Sequence, residues 1–183
     1  MLPPAEQIEL PAVGVVLRRH RPADLDALHA AIEESRDHLR PFMPFADQAR
    51  VDTAGFVELA QREWADGTGF NFLITDATDG EVLGGCGIHL RIGPDAAEIG
   101  YWLRDGATGR GIATAAAAAL TDAGLALDGM RHMEIHCDEA NVRSAAVPRR
   151  LGYRLDRIEP DAITSPGELG RMMVWIWLGT PPP

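Results

Sequence analysis

The stretch Glu98-Ile-Gly-Tyr-Trp-Leu-Arg-Asp-Gly-Ala-Thr-Gly-Arg-Gly-Ile-Ala-Thr114 contains the end of a strand, a loop and the start of a helix. Ile99, Tyr101 and Leu103 alternate with Glu98, Gly100 and Trp102, the period of a strand with two different faces. Glycines at 106, 109 and 111 punctuate the loop. From about residue 111 to 127, Ile112, Ala116, Leu120, Ala123 and Leu127 then form one apolar stripe at helical spacing. The first N–H groups of such a helix lack intrahelical partners, and the helix dipole adds positive potential there. Glycines let an anion come close to the backbone, and Arg104 and Arg110 add mobile positive charge. The stretch therefore reads as a pyrophosphate cradle. A glycine-rich turn that simply opens a core helix fits these residues equally well.

Other patterns compete for the same residues. Gly109-x-Gly111-x-x-Thr114, with Glu134 downstream, imitates a dinucleotide fingerprint. That fingerprint needs its first glycine directly after the strand of a βαβ unit and a third small glycine, and neither is present. A Walker A loop needs Gly-Lys-Ser/Thr, which is absent. His132-Met-Glu134-Ile-His136 looks like a metal motif, but in a strand its histidines lie about four rises of 3.3 Å apart, too far to share an ion. No metal site is expected.

Upstream, Phe70, Phe72 and Ile74 alternate, Asp79-Gly80 turns the chain, and Val82, Gly84, Cys86, Ile88 and Leu90 alternate again before a turn at Gly93-Pro94-Asp95. With residues 99–103 this makes an antiparallel three-stranded meander. Residues 13–17 read as an earlier strand, ending in a solvated basic group, Arg18, Arg19, His20 and Arg21. Pro22 suits the first turn of a helix bearing Leu25, Leu28, Ile32 and Leu39. Arg40-Pro-Phe-Met-Pro-Phe45 interrupts it. Asp52 or Thr53 is expected to cap a second helix with Phe56, Leu59, Ala60, Glu63 and Trp64. Downstream come a strand through Met133, Ile135 and Cys137, a short helix from Asn141, a strand at Tyr153 and Leu155, a loop with Ser165-Pro-Gly167, and a strand over 172–178. Nothing divides this into repeats or separate units. The expectation is one α/β domain over residues 13–179, with an N-terminal extension over 1–12 and a frayed tail over 180–183.

The chain has 183 residues, with 46% apolar and 24% charged, the balance of a globular domain rather than a disordered segment. Lys plus Arg is 17 and Asp plus Glu 27, a formal charge of −10. An acidic surface repels phosphate backbones, so no nucleic-acid partner is expected. No segment is long and apolar enough to span a bilayer, so no membrane partner is expected either. The N-terminus lacks the pattern of a signal peptide, and Cys86 and Cys137 stand apart, outside any C-x-x-C pattern. Both observations point to the cytoplasm.

Taken together, these pieces resemble the GCN5-related N-acetyltransferase (GNAT) family, and within it the ribosomal-protein N-terminal acetyltransferase (RimJ/RimL-like) subgroup. The resemblance runs over nearly the whole chain. It rests on Glu98-Ile-Gly-Tyr-Trp-Leu, on Gly109-Arg-Gly-Ile-Ala-Thr114, on Asn141-x-x-Ser144 running to Arg150-Leu-Gly-Tyr153, and on Arg36-x-x-Leu-x-x-Phe42-Met-Pro44 followed by Phe45. The family's Gln/Arg-x-x-Gly-x-Gly/Ala loop is matched at Gly111 and Ala113, while Thr108 replaces the usual Gln or Arg. Many members carry a Tyr where this chain has Pro148.

The resemblance implies a mixed central sheet flanked by helices, an antiparallel meander followed by two splayed parallel strands, with acetyl-CoA as co-substrate. Pantetheine would lie along Tyr101, Trp102 and Leu103, and the pyrophosphate on Thr108, Gly109, Arg110, Gly111, Ile112, Ala113 and Thr114. Asn141 would bond the pantetheine or the splayed strand, and Arg149 would approach the coenzyme phosphates. Ser144 is the hydroxyl expected near the sulfur. Glu98 is the candidate proton acceptor, and Phe42, Phe45 and His89 are candidates to contact the acceptor.

An α-amine with a pKa near 8 is about one-tenth neutral at pH 7, a lysine amine only about one part in two thousand. An N-terminal α-amine or a small amine of low pKa thus needs little help from a base. Both cysteines read as core, which favours direct transfer in a ternary complex. The resemblance leaves a homodimer open. The readings kept beside the enzyme are a non-catalytic acyl-CoA-binding module and a nucleotide-dependent oxidoreductase.

Overall fold

The computed structural model describes residues 2–178; the tail expected over 180–183 lies outside them. Eight strands form one sheet in the order β1-β2-β3-β4-β5-β6-β8-β7. They are β1 Gln7–Leu10, β2 Val15–Arg19, β3 Gly69–Asp76, β4 Val82–Gly93, β5 Ala96–Leu103, β6 His132–Asp138, β7 Arg154–Pro160 and β8 Arg171–Trp177. Among the described residues β5 and β6 are the only parallel neighbours. The helices are α1 Leu25–Glu34, α2 Arg36–Leu39, α3 Arg50–Asp66, α4 Ile112–Leu125 and α5 Val142–Leu151. None of the described helices is long and apolar enough to cross a membrane.

The meander and the helix after the glycine loop stand where the periodicity puts them, and the splayed parallel pair stands where the resemblance implies it. One departure is at the N-terminus, where Gln7–Leu10 of the expected extension pairs with β2 and forms one edge of the sheet. A second is the start of α3 at Arg50, ahead of Asp52 and Thr53. Asp52 lies within the first turn and accepts from the Ala49 amide at 3.0 Å, so it caps from inside the helix.

The larger core packs Phe70, Phe72, Ile88, Ile99, Met133 and Ile135 of the sheet against Ile112, Ala116 and Leu120 of α4. The alanine run of α4 favours helix and lets it lie close to the strands. A smaller core of Leu28, Ile32, Leu39, Val57, Leu73 and Val82 fixes α1 to α3 on the sheet. The Arg-x-x-Leu-x-x-aromatic element has a local reason. Leu39 is buried in that core, and Arg36 Nε reaches back to the Ala46 carbonyl at 3.3 Å, pinning the turn that carries Phe42 and Phe45.

Candidate active site

The end of β5 and the start of α4 form one end of the site. Gly109 and Gly111 both have positive φ, 74° and 79°, and Gly111 is the N-cap of α4 without a side-chain capping bond. The amides of residues 109–114 find no acceptor among the described residues. Such a row of outward N–H groups fits a pyrophosphate. Arg110 is exposed beside it. Arg104 is not mobile as expected, because it is tied to Glu81 and, at 2.5 Å, to Glu34. The strands before this loop form hairpins instead of a βαβ unit, which removes the dinucleotide reading.

The parallel pairing of β5 with β6 covers only Ala96↔His132, Ala97↔Met133 and Glu98↔Glu134. Beyond Glu98 the strands part. The β6-facing edge of Ile99 to Leu103 is left without a partner strand, a template for an amide-containing chain laid alongside it. In the gap, Tyr101 Oη lies 3.1 Å from both the carbonyl and the Oγ of Ser144. Asn141 caps α5 by accepting from the Ser144 amide at 3.1 Å. Burial pushes the Tyr101 hydroxyl well up, so it stays protonated and able to donate. Arg149 lays its guanidinium over the Trp175 ring, 5.2 Å from the centroid, and is anchored there rather than at the loop.

On the other side of the splay lies a cavity of about 780 Å³. Phe42, Phe45, His89, Glu98, Trp102 and Ser144 all border it, so the acceptor and catalytic candidates do converge. Its floor is the face of β4 and β5 that carries Gly85, Gly87 and Gly100, which lack side chains where neighbouring strands carry large ones. Phe45 meets Trp102 edge to face at 5.7 Å. The Gly167 amide donates to the Pro41 carbonyl at 2.8 Å and joins the two loops beside the cavity.

Glu98 differs from the free carboxylate expected of a base. A register shift after His89 brings Arg91 alongside it, and the guanidinium grips both oxygens at 2.9 Å. Burial alone would raise the Glu98 carboxyl, yet Arg91, with His136 and His89 behind it, holds it below the ordinary carboxylate range. A permanently ionised group is suited to holding an ammonium and is a weak proton acceptor. Burial, aided by Arg91, lowers the pKa of His89 and keeps that ring neutral. Burial also raises Cys86 and Cys137, which keeps them thiols.

Polar cavity residues that received no site role in the sequence reading include His20, Asn71, Arg91 and His136. The group taken as a solvated strand end is largely paired instead. Arg18 binds Asp24 at 2.8 Å and Arg19 binds Glu6 at 2.7 Å. His20 is only 4% exposed, edge-on to Phe56 at 5.4 Å, with Nδ1 unpartnered. Alternation along β2 gives no signal for it, since His20 is out of phase with the buried Val15 and Leu17.

Burial lowers His20 from 6.5 to about 4, against the pull of Asp24. The unfolded chain takes up this proton near 6.5 and the folded chain only near 4. Its contribution to stability is therefore whole above pH 6.5 and shrinks as pH falls, by up to ~3 kcal/mol at the lower limit. Urea midpoints between pH 7.5 and 4.5 should show a shallower decline in His20→Gln; an identical decline would assign the effect elsewhere.

A glycine-loop anion cradle, a splayed parallel pair and a cavity at the mouth of the splay define an acyl-CoA-dependent transferase. The sequence family described as the acetyltransferase (GNAT) domain matches residues 15–154, and the chain belongs to it. It is an acetyl-CoA-dependent N-acetyltransferase. No curated protein matches it.

Similar solved structures include the microcin C7 self-immunity acetyltransferase MccE in complex with acetyl-CoA and AMP, at TM-score 0.81 and 19% identity, covering 90% of this chain and 92% of that one. The ribosomal L7/L12 α-N-protein acetyltransferase RimL with coenzyme A is similar at TM-score 0.81 and 23% identity, over 90% and 94%. RimJ of Mycobacterium smegmatis, in a complex with CoA-disulfide, is similar at TM-score 0.80 and 25% identity, over 93% and 85%.

Proposed function

We propose that this acetyltransferase moves the acetyl group directly to a primary amine, a protein N-terminal α-amine or a small-molecule amine, in a cytoplasmic ternary complex. The observation that carries this reading is the continuity of the site. Free amides at 109–114 lead along the unpaired edge of β5 to the mouth of a cavity that holds an ionised carboxylate. The likeness to RimL and RimJ supports an α-amine, and that to MccE supports a smaller acceptor.

In this reading Thr108, Gly109, Arg110, Gly111, Ile112, Ala113 and Thr114 hold the pyrophosphate. Tyr101, Trp102 and Leu103 offer their backbone to the pantetheine, and Asn141 keeps α5 in place beside it. Arg149 borders the coenzyme from α5. Glu98 attracts the acceptor as its ammonium, His89 offers it a neutral ring, and Phe42 and Phe45 enclose its apolar part. The acetyl donor supplies an activated thioester, and attack by the neutral amine places negative charge on its carbonyl oxygen. Backbone N–H groups of the splayed strand are the donors available to that charge. The raised thiols of Cys86 and Cys137 favour direct attack over an acyl-cysteine intermediate.

Ser144 and Tyr101 together supply the hydroxyl pair for the departing sulfur. Ser144→Ala should lower kcat by about tenfold or more while changing acetyl-CoA affinity little, and Tyr101→Phe should do the same, because each removes one donor from a shared hydrogen bond. Pre-steady-state turnover and equilibrium titration separate the two quantities. Equal turnover in both variants would remove the pair from the mechanism. The function itself is tested by coenzyme A release with N-terminal peptides, lysine peptides and small polyamines. Tight acetyl-CoA binding with no release from any of them would leave a binding module.

A further inference from the structure

The alternation His132-Met-Glu134-Ile-His136 puts two imidazoles and a carboxylate on the face of β6 that borders the cavity. Glu134 is buried between them, with Oε1 3.2 Å from His132 Nε2 and Oε2 2.5 Å from His136 Nε2. The tautomer that suits the contact with Glu134 has its proton on Nε2 and its lone pair on Nδ1. That nitrogen lies 3.9 Å from Glu98 Oε2, and both residues line the cavity. The separation is too long for a hydrogen bond. It suits two acceptors that converge on one donor.

We propose that His136, oriented by Glu134, is the base that takes the proton of the acceptor ammonium while Glu98 holds that ammonium in place. The assignment deepens the transferase reading above and rests on it.

The charged and titratable groups around His136 are consistent with this role. Glu98 faces it from β5 with its charge balanced by Arg91 of β4, and Glu134 and His132 flank it on its own strand. Asp138 follows on the same face of β6, turned to the amides of Ala140, Leu169 and Arg171. Arg157 of β7 lies within electrostatic reach of Glu134. His89 is the rival base, but burial and Arg91 depress it, and no hydrogen bond orients its ring among the described residues.

The proton balance closes. The ammonium gives one proton to Nδ1, and the freed lone pair forms the C–N bond at the thioester carbonyl. Collapse breaks the C–S bond, and its electron pair leaves with sulfur. The second amine proton, lost as the amide forms, neutralises the thiolate. The proton on His136 returns to solvent, with Glu134 and the 25%-exposed His132 as a hydrogen-bonded route.

The test compares unaltered protein with His136→Gln, which keeps a donor for Glu134 and removes the imidazole. Rates are followed against pH with the amine turned over in the coenzyme A-release panel and with hydroxylamine, which is neutral at pH 7. The expected result at pH 7 is a loss of about tenfold for an α-amine and about 10²-fold or more for an amine of higher pKa. Hydroxylamine should lose far less, the acidic limb seen with the protonated amine should move up toward the pKa of the amine itself, and acetyl-CoA affinity should hold. Equal losses for the two nucleophiles, or an unchanged profile, would overturn the assignment.

Glu134→Gln should give the same selective loss in smaller degree. If His136→Gln no longer binds acetyl-CoA, this second variant decides, and equal losses there sink the proposal. Failure of the unaltered protein to turn over any amine would bring down the transferase reading itself. Full activity of both variants brings down only the base.

Discussion

Gly111→Glu should abolish acetyl-CoA binding while leaving the protein folded. Gly111 has φ of 79°, and a Cβ built there meets only Val13 Cγ1, at 3.8 Å, so there is room for a side chain. The cost to the fold is the left-handed backbone, about 1–2 kcal/mol. The cost to binding is electrostatic. A carboxylate about 5 Å from a phosphate is disfavoured by roughly 3 kcal/mol at an effective dielectric near 20, or about 10²-fold in affinity, before any amide is blocked. With two phosphates to repel, titration calorimetry should find no binding at millimolar concentration. Gly111→Asn is the matched control, because Asn tolerates the left-handed region and brings no charge. It should retain binding within about tenfold. Unchanged affinity in Gly111→Glu would place the pyrophosphate elsewhere.

Gly87→Val should separate acceptor from donor. Gly87 lies in β4 on the cavity floor, paired with Gly100 across β5 from the unpaired edge and away from the glycine loop. A Cβ there comes within 2.8 Å of Asn71 Oδ1, 3.2 Å of His89 Cε1 and 3.3 Å of the Phe70 carbonyl oxygen. The side chains can turn aside and the carbonyl cannot, so the fold loses about 1–3 kcal/mol. The larger effect is on the acceptor, since branched methyl groups rise into the space it needs. The kcat/KM for the amine should fall by about 10²-fold or more, because misplacement of about 1 Å suffices for that. Acetyl-CoA should still raise the melting temperature as it does in unaltered protein. Loss of both effects together would mean that the floor supports the donor site as well.

Some of this molecule is legible without coordinates because it depends on near neighbours in sequence. Alternation at Ile99, Tyr101 and Leu103 and the stripe of Ile112, Ala116 and Leu120 report burial directly, since each period belongs to one element. The four-residue strand β1 is too short to show a period, and its partner lies beyond a turn. The start of α3 at Arg50 was misplaced because Asp52 caps from its first turn, where a cap and an interior residue look alike.

The site divides along the same line. His20 looked solvated because it follows two arginines, but those arginines are matched by Asp24 and Glu6, which folding brings to them. Glu98 looked like a base because nothing local showed that Arg91 would grip it after a register shift in the neighbouring strand. His132, Glu134 and His136 looked like a failed metal motif. The same extended spacing that keeps the histidines apart lets the carboxylate bridge them.

The amino-acid sequence by itself determined the family, the single mixed sheet and the glycine-rich start of α4. A cradle of backbone amides needs only glycines in the right order at a helix start. Only the tertiary structure decided which charged groups are free and which are spent on one another. Arg104, Arg149 and Glu98 turned out to be engaged, and His136 Nδ1 lies 3.9 Å from Glu98, too far for a hydrogen bond. Charge pairing depends on atoms a few ångströms apart in space, and a residue's own neighbours along the chain do not reveal them. The formal charge of −10 shows the same division. It describes the surface as a whole, while the sign of the potential at one helix end is set by six unpaired amides brought together at residues 109–114.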